Sequence, residues 1–215
     1  MIAQGPVQIS QVVRNAIQFN AGYWRNRPMS SDAMPQAVGD LFRLLDQRGI
    51  DYVLVGGIAL LSYVEGRNTE DIDLIVAVAA LDRLPEITLT SRDLYFARGQ
   101  FEGLQIDFLL TSNPLFEQVR RRHTTVQRFD EREITTATVE GLLLLKLYAL
   151  PSLYREGNFA RVGLYENDVA TLLYYYQSDQ DAILRELASH LSASDLAEVR
   201  GILSDIGRRI LRFRG

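Results

Sequence analysis

Apolar positions along the chain change their period twice. From Val38 through Leu41, Leu44 and Leu45 they recur at the three- and four-residue spacing that lines one face of a helix. Ser31 or Asp32 can cap that helix and Gly49 ends it. The pattern then contracts to short apolar runs bounded by glycine and polar residues, which predict strands over Tyr52 to Val55, Asp71 to Val78, Leu94 to Ala97 and Leu104 to Leu110. Ile58 to Val64 has the apolar density of a short buried helix, and Thr124 to Phe129 with Glu133 to Thr136 predict a hairpin. After Thr138 the helical period returns, through Val139 to Leu150, Val169 to Tyr176, Asp181 to Leu191 and Ala193 to Phe213, the last capped by Ser192 or Ser194. Ahead of all this, a weakly amphipathic stretch from Val12 to Phe19 runs into the polar Arg25-Asn26-Arg27-Pro28.

Three zones follow: an N-terminal extension over 1–30, an α/β domain over 31–137 and a C-terminal helical lobe over 138–215. The 215 residues, 47% hydrophobic and 23% charged, suffice for one sizeable core or two small lobes. No apolar run approaches the roughly 20 residues of a membrane span, and the N-terminus has no signal-peptide core, so the expectation is a cytoplasmic protein without a membrane partner. The absence of cysteine excludes disulfides, thiolate catalysis and cysteine-held zinc. With only His123 and His190 besides, any metal must be held by oxygen. A formal charge of −4 argues against a broadly basic nucleic-acid binder. Two local basic clusters remain, Arg120-Arg121-Arg122 and the tail Arg208, Arg209, Arg212 and Arg214, and runs of this kind are usually solvated faces.

The chemistry concentrates in Val55-Gly56-Gly57-Ile58 and, after the short helix and a polar turn, Asp71-Ile72-Asp73-Leu74-Ile75. Side chains alternate across a strand, so Asp71 and Asp73 share one face while Ile72 and Leu74 take the core face. Close carboxylates repel unless a cation lies between them, and hard oxygen ligands suit Mg²⁺ or Mn²⁺ bound jointly with substrate phosphates. The Gly56-Gly57 pair falls where a strand passes into a helix. There the missing Cβ lets backbone N–H groups approach a phosphate, and the helix N-terminus adds partial positive charge. Asp107 faces away from Ile106 and Phe108. It is either a third carboxylate, binding a second metal or taking a proton from an attacking hydroxyl, or an edge acid that discourages strand pairing. Arg67, just before the Asp-x-Asp strand, is either a bidentate clamp for triphosphate oxygens or a solvated loop residue. Lys146 interrupts a leucine run, where it either snorkels to water or reaches a phosphate across a cleft.

Together these residues resemble the polymerase-β-like nucleotidyltransferase superfamily, in which Gly-Gly or Gly-Ser precedes Asp-x-Asp by about this distance. Within it, Gly56-Gly57-Ile58-Ala59-Leu60 and Gly66-Arg67-Asn68-Thr69-Glu70-Asp71-Ile72-Asp73-Leu74 look like the AbiEii toxin and minimal nucleotidyltransferase branch. The likeness extends to Leu104-Gln105-Ile106-Asp107-Phe108-Leu109, to Asn113-Pro114 and to the helix carrying Lys146, and covers roughly residues 36 to 175. It implies a small mixed sheet with flanking helices followed by the helical lobe. It also implies Mg²⁺ (or Mn²⁺) on Asp71, Asp73 and Asp107, with Gly56, Gly57, Arg67, Lys146 and Asp168 toward the nucleotide. The implied reaction moves a nucleoside monophosphate from a nucleoside triphosphate to a hydroxyl of RNA, a tRNA end or a protein, with release of pyrophosphate. Toxin members of the branch add an antitoxin as an implied partner. The chain departs from the family pattern between its lobe helices, where Pro151 to Leu164 replaces a short connection and no lysine precedes Asp168. Asp168 is therefore either a site residue or a helix N-cap. The competing readings are a catalytically silent nucleotide- or partner-binding module, and another Asp-x-Asp enzyme such as a glycosyltransferase or phosphatase. The last two leave the upstream Gly-Gly without a purpose.

Overall fold

The computed structural model describes residues 33–64, 71–129 and 131–214, with side chains from 36 to 212. The N-terminal extension, the caps at Ser31 or Asp32 and the Arg67 loop lie outside the described residues. The chain divides into two compact units between Thr138 and Val139.

In the first unit, α1 (Ala33–Gln47) buries Ala37, Val38, Leu41, Phe42 and Leu45. Its end is a glycine turn: Gly49 has φ 59°, and Ile50 N–H donates back to the Leu45 carbonyl at 2.9 Å. Phe42 stacks on Tyr52 with ring centroids 5.5 Å apart and meets Phe129 edge-on at 5.3 Å, which ties the helix to both ends of the sheet sequence. The strands are β1 (Tyr52–Val55), β2 (Asp71–Val76), β3 (Thr88–Arg92), β4 (Phe96–Phe101), β5 (Leu104–Leu110), β6 (Thr124–Phe129) and β7 (Arg132–Ala137). They form a seven-stranded mixed sheet in the order β3-β4-β5-β2-β1-β7-β6. Strand β2 pairs antiparallel with β1 and parallel with β5, and β1 pairs parallel with β7. Between β1 and β2 lies the six-residue helix α2 (Gly56–Leu61), shorter than the predicted Ile58 to Val64 span at its C-terminal end.

Three elements of this unit escape the apolar pattern. The strand predicted to run to Val78 ends at Val76, and a 3-10 helix over Val78–Arg83 follows it. Every residue of β3 is exposed, so this edge strand has no buried alternation to reveal it. The helix α3 (Pro114–Arg122) buries Leu115, Phe116 and Val119, and its last turn is three arginines, which dilute the period. Its start is nevertheless conventional: Asn113 Oδ1 accepts from Leu115 N–H at 2.9 Å and Pro114 fills the first turn.

The second unit contains α4 (Val139–Arg155), α5 (Phe159–Tyr175), α6 (Gln180–Leu187) and α7 (Ala193–Arg214). Here the sequence expectation needs correction. Helix α4 continues through Pro151, and α5 begins at Phe159 rather than Val169. The supposed long connection is a tight turn over Glu156 to Asn158, with Gly157 at φ 67° and Asn158 Oδ1 accepting from Arg161 N–H at 3.3 Å. Proline removes one helical hydrogen bond, but Leu147, Leu150 and Leu153 around it are buried and hold the helix in place. Asp168 therefore lies inside α5 and is not an N-cap. Among the described residues, no helix is long and apolar enough to cross a membrane.

Candidate active site

The register of β2 against its neighbours builds the site. Parallel pairing with β5 sets Asp73 beside Asp107, and antiparallel pairing with β1 sets Asp73 opposite Val55, the last residue before α2. Ile72, Leu74, Ile106 and Phe108 are fully buried, so alternation sends Asp71, Asp73 and Asp107 to the other face, where each is half-buried. One carboxylate oxygen from each lies within 4.8 Å of the others, the one such acid or histidine cluster among the described residues. Asp107 thus joins the Asp-x-Asp pair through a non-local strand pairing.

Gly56 is shaped around Asp73. Its φ of 64° is left-handed, and a Cβ built on it would fall 1.8 Å from Asp73 Oδ2 and 2.3 Å from Cγ. The space freed by the missing side chain is filled by that carboxylate. The Gly57 N–H, at 3.4 Å, also points at Asp73 Oδ2. The glycine pair therefore acts here by seating an acid at the strand end.

Arg98 on β4 is the site residue that sequence reasoning missed. It is Asp107's partner across the β4–β5 pairing, and its guanidinium holds both carboxylate oxygens: Nε donates to Oδ1 at 2.6 Å and Nη2 to Oδ2 at 2.7 Å. Gln105 Nε2 adds a long contact to Oδ1 at 3.5 Å. The hydrogen bond to Asp107 raises the Arg98 pKa further, followed by the charge of Asp107 and, more weakly, those of Asp71 and Asp73. The signal was present in the turn. Glu102 and Gly103 both have positive φ, and counting outward from Phe101 opposite Leu104 brings Arg98 opposite Asp107.

Lys146 and Asp168 lie in the second unit and are brought together there. Lys146 Nζ donates to Asp168 Oδ2 at 2.7 Å and sits 4.4 Å from the centroid of the Tyr165 ring, and both charged side chains are almost wholly buried. Lys146 does not snorkel to water. The basic clusters are largely committed to acids within their own units. Arg120 pairs with Glu117 and Asp51, Arg121 with Glu117, Arg208 with Asp205 and Arg209 with Glu166.

No family model matches the chain, and no curated protein matches it. Solved structures similar to the chain include these two. One is an antigenic nucleotidyltransferase-like protein from Paracoccidioides brasiliensis, 19% identical, covering 80% of this chain and 94% of its own, with a TM-score of 0.48. The other is ANT(2″)-Ia in complex with adenylyl-2″-tobramycin, 11% identical, covering 77% of this chain and 96% of its own, with a TM-score of 0.44.

The donor set fits a hard divalent cation. All three candidate ligands are carboxylate oxygens, they converge on one partly exposed face, and the backbone at Gly56 has given up its Cβ to seat one of them.

Proposed function

We propose that this chain is a Mg²⁺- or Mn²⁺-dependent nucleotidyltransferase of the polymerase-β-like superfamily, transferring a nucleoside monophosphate from a nucleoside triphosphate to a hydroxyl. The observation that carries this reading is the convergence of Asp71, Asp73 and Asp107 on one face at the strand end seated by Gly56. These three would hold the metal, which neutralises phosphate oxygens and the charge that builds on them during transfer. In the transfer, a bond forms from the acceptor oxygen to the α-phosphorus and the bond from that phosphorus to the bridging oxygen breaks, releasing pyrophosphate. Asp107 takes the hydroxyl proton. Gly56 and Gly57 fix Asp73, and Arg67 is assigned to the triphosphate. The assignment of Lys146 and Asp168 to the nucleotide lies farthest from the geometry, because each is already the other's partner. The acceptor class proposed is RNA, a tRNA end or a protein, in a cytoplasmic toxin of the AbiEii branch with an antitoxin partner.

One observation favours a catalytically silent binding module instead: Arg98 already neutralises Asp107. Labelled nucleoside triphosphates incubated with total cellular RNA or protein separate the two readings. Transfer by the unmodified chain that disappears in Asp107→Asn supports the enzyme. Mg-nucleotide binding without any transfer supports the silent module, and binding unaffected by Asp71→Asn with Asp73→Asn refutes the site.

A further inference from the structure

We infer that Arg98 is a resident counter-ion that restricts the acidic face to one divalent cation until the phosphates of a nucleotide arrive. This rests on the reading above, in which Asp71, Asp73 and Asp107 are the cation ligands. Three ionised carboxylates this close repel one another, and strand pairing prevents Asp73 and Asp107 from separating. Arg98 is held opposite Asp107 by the same sheet, on the strand away from Asp73. Its fork occupies both Asp107 oxygens, so Asp107 offers a metal a lone pair only as that fork lets go. Asp71 and Asp73, which share one face of their strand, would take the first cation.

Charge points the same way. Three carboxylates against one guanidinium leave a formal charge of −2, which one divalent cation cancels. A second would have to enter a neutral face next to a guanidinium. The negative oxygens of a triphosphate remove that obstacle, and they offer Arg98 another bidentate partner. Exposure makes the exchange feasible. The Arg98 side chain is 46% exposed and that of Asp107 16%, so the fork can leave the carboxylate without stranding a charge in the core. Arg98 is thus a positioning residue, coupling the third carboxylate to nucleotide occupancy.

The test counts Mn²⁺ bound to the full chain, by the loss of the free-ion paramagnetic resonance signal, with and without a non-hydrolysable nucleoside triphosphate. Without nucleotide, the unmodified chain should bind one Mn²⁺, lost in Asp71→Asn with Asp73→Asn. Arg98→Met should gain a second, or bind the first about tenfold more tightly, because a nearby positive charge has gone. That gain should vanish in Arg98→Met with Asp107→Asn, and Arg98→Lys, which keeps the charge without the fork, should fall between. With nucleotide, the unmodified chain and Arg98→Met should bind equal numbers. If Arg98→Met does not fold, Arg98→Gln decides in its place: it removes the same charge and should show the same gain, and Arg98→Gln binding Mn²⁺ as the unmodified chain does overturns the inference. Arg98→Met binding Mn²⁺ as the unmodified chain does overturns the inference and leaves the metal reading standing. An unmodified chain that binds no Mn²⁺ overturns both.

Discussion

Two close pairs of opposite charge, one in each unit, differ in the water around them. On the sheet, Arg98 and Asp107 meet at 2.6 Å with side chains 46% and 16% exposed; between α4 and α5, Lys146 and Asp168 meet at 2.7 Å with 5% and 3% exposed. The distances are nearly equal. What differs is the consequence of separation, since a wet guanidinium regains hydration when it lets go, whereas a buried ammonium leaves its partner charged in an apolar medium. The first pair can exchange partners at little cost. The second ties α4 to α5, and parting it costs far more.

The largest effect expected is therefore in the helical unit. Lys146→Met should lower the unfolding free energy by about 3–5 kcal/mol, because Asp168 is left charged and buried. Lys146→Met with Asp168→Leu should recover most of the loss, since an apolar replacement of the whole pair is often neutral. Denaturant midpoints measure both. A single variant as stable as the unmodified chain would show that the pair is open to water in solution and would erase the contrast.

On the sheet, removing charge should cost binding and not stability. Asp71→Asn with Asp73→Asn takes away two mutually repelling acids, so the unfolding midpoint should hold or rise. The roughly 2.7 kcal/mol of stabilisation expected from Mg-nucleotide at about 100 times its dissociation constant should disappear. Thermal melts with and without ligand give both numbers. Gly56→Ala should cost the fold about 1–2 kcal/mol for a left-handed alanine, less than Lys146→Met does, and should lose the ligand shift because its Cβ displaces Asp73. A variant that keeps the shift would mean that Asp73 need not sit where it does.

The same contrast explains what the sequence revealed. Leu104–Leu110 announces itself by apolar alternation and Tyr52–Val55 by an unbroken apolar run, and both have the bounds their residues predict, as does Thr124–Phe129, where only Phe129 is buried. The shared face of Asp71 and Asp73 follows from alternation alone. Their meeting with Asp107 depends on β2 and β5 lying parallel, a pairing across two intervening strands that no local spacing specifies. Arg98 was within reach of local counting, but the strand predicted over Leu94 to Ala97 stopped one residue short of it. β3, all exposed, had no pattern to read. In the helical unit, Pro151 suggested a break that the buried leucines around it override, and that error moved Asp168 from the interior of a helix to its end.

A third group of charges ranks the comparison from below. Glu117 on α3 accepts from Arg120 at 2.8 and 2.9 Å and also pairs with Arg121. The Arg120 hydrogen bond is the main reason its carboxyl titrates below the ordinary value of 4.5, with Arg121 adding to it. A carboxyl whose pKa is depressed by folding contributes stability above its unfolded pKa and loses it as pH falls through the folded value. The Glu117 side chain is 25% exposed, that of Arg120 24% and that of Arg121 69%, so water reaches all three and the cluster is worth about 0–1 kcal/mol, far less than the buried pair. Glu117→Gln should therefore lower the thermal midpoint only slightly at pH 7, and the difference from the unmodified chain should close as pH is taken below about 4.5. It also releases Arg121 and leaves Arg120 with Asp51. If the acceptor is RNA and lies against α3, Glu117→Gln should bind it more tightly and with a steeper salt dependence. Unchanged RNA affinity would leave Arg120 to Arg122 as a solvated face. A midpoint loss as large as that of Lys146→Met would mean that exposure does not rank these pairs, and the distinction between exchangeable and structural charge would fail with it.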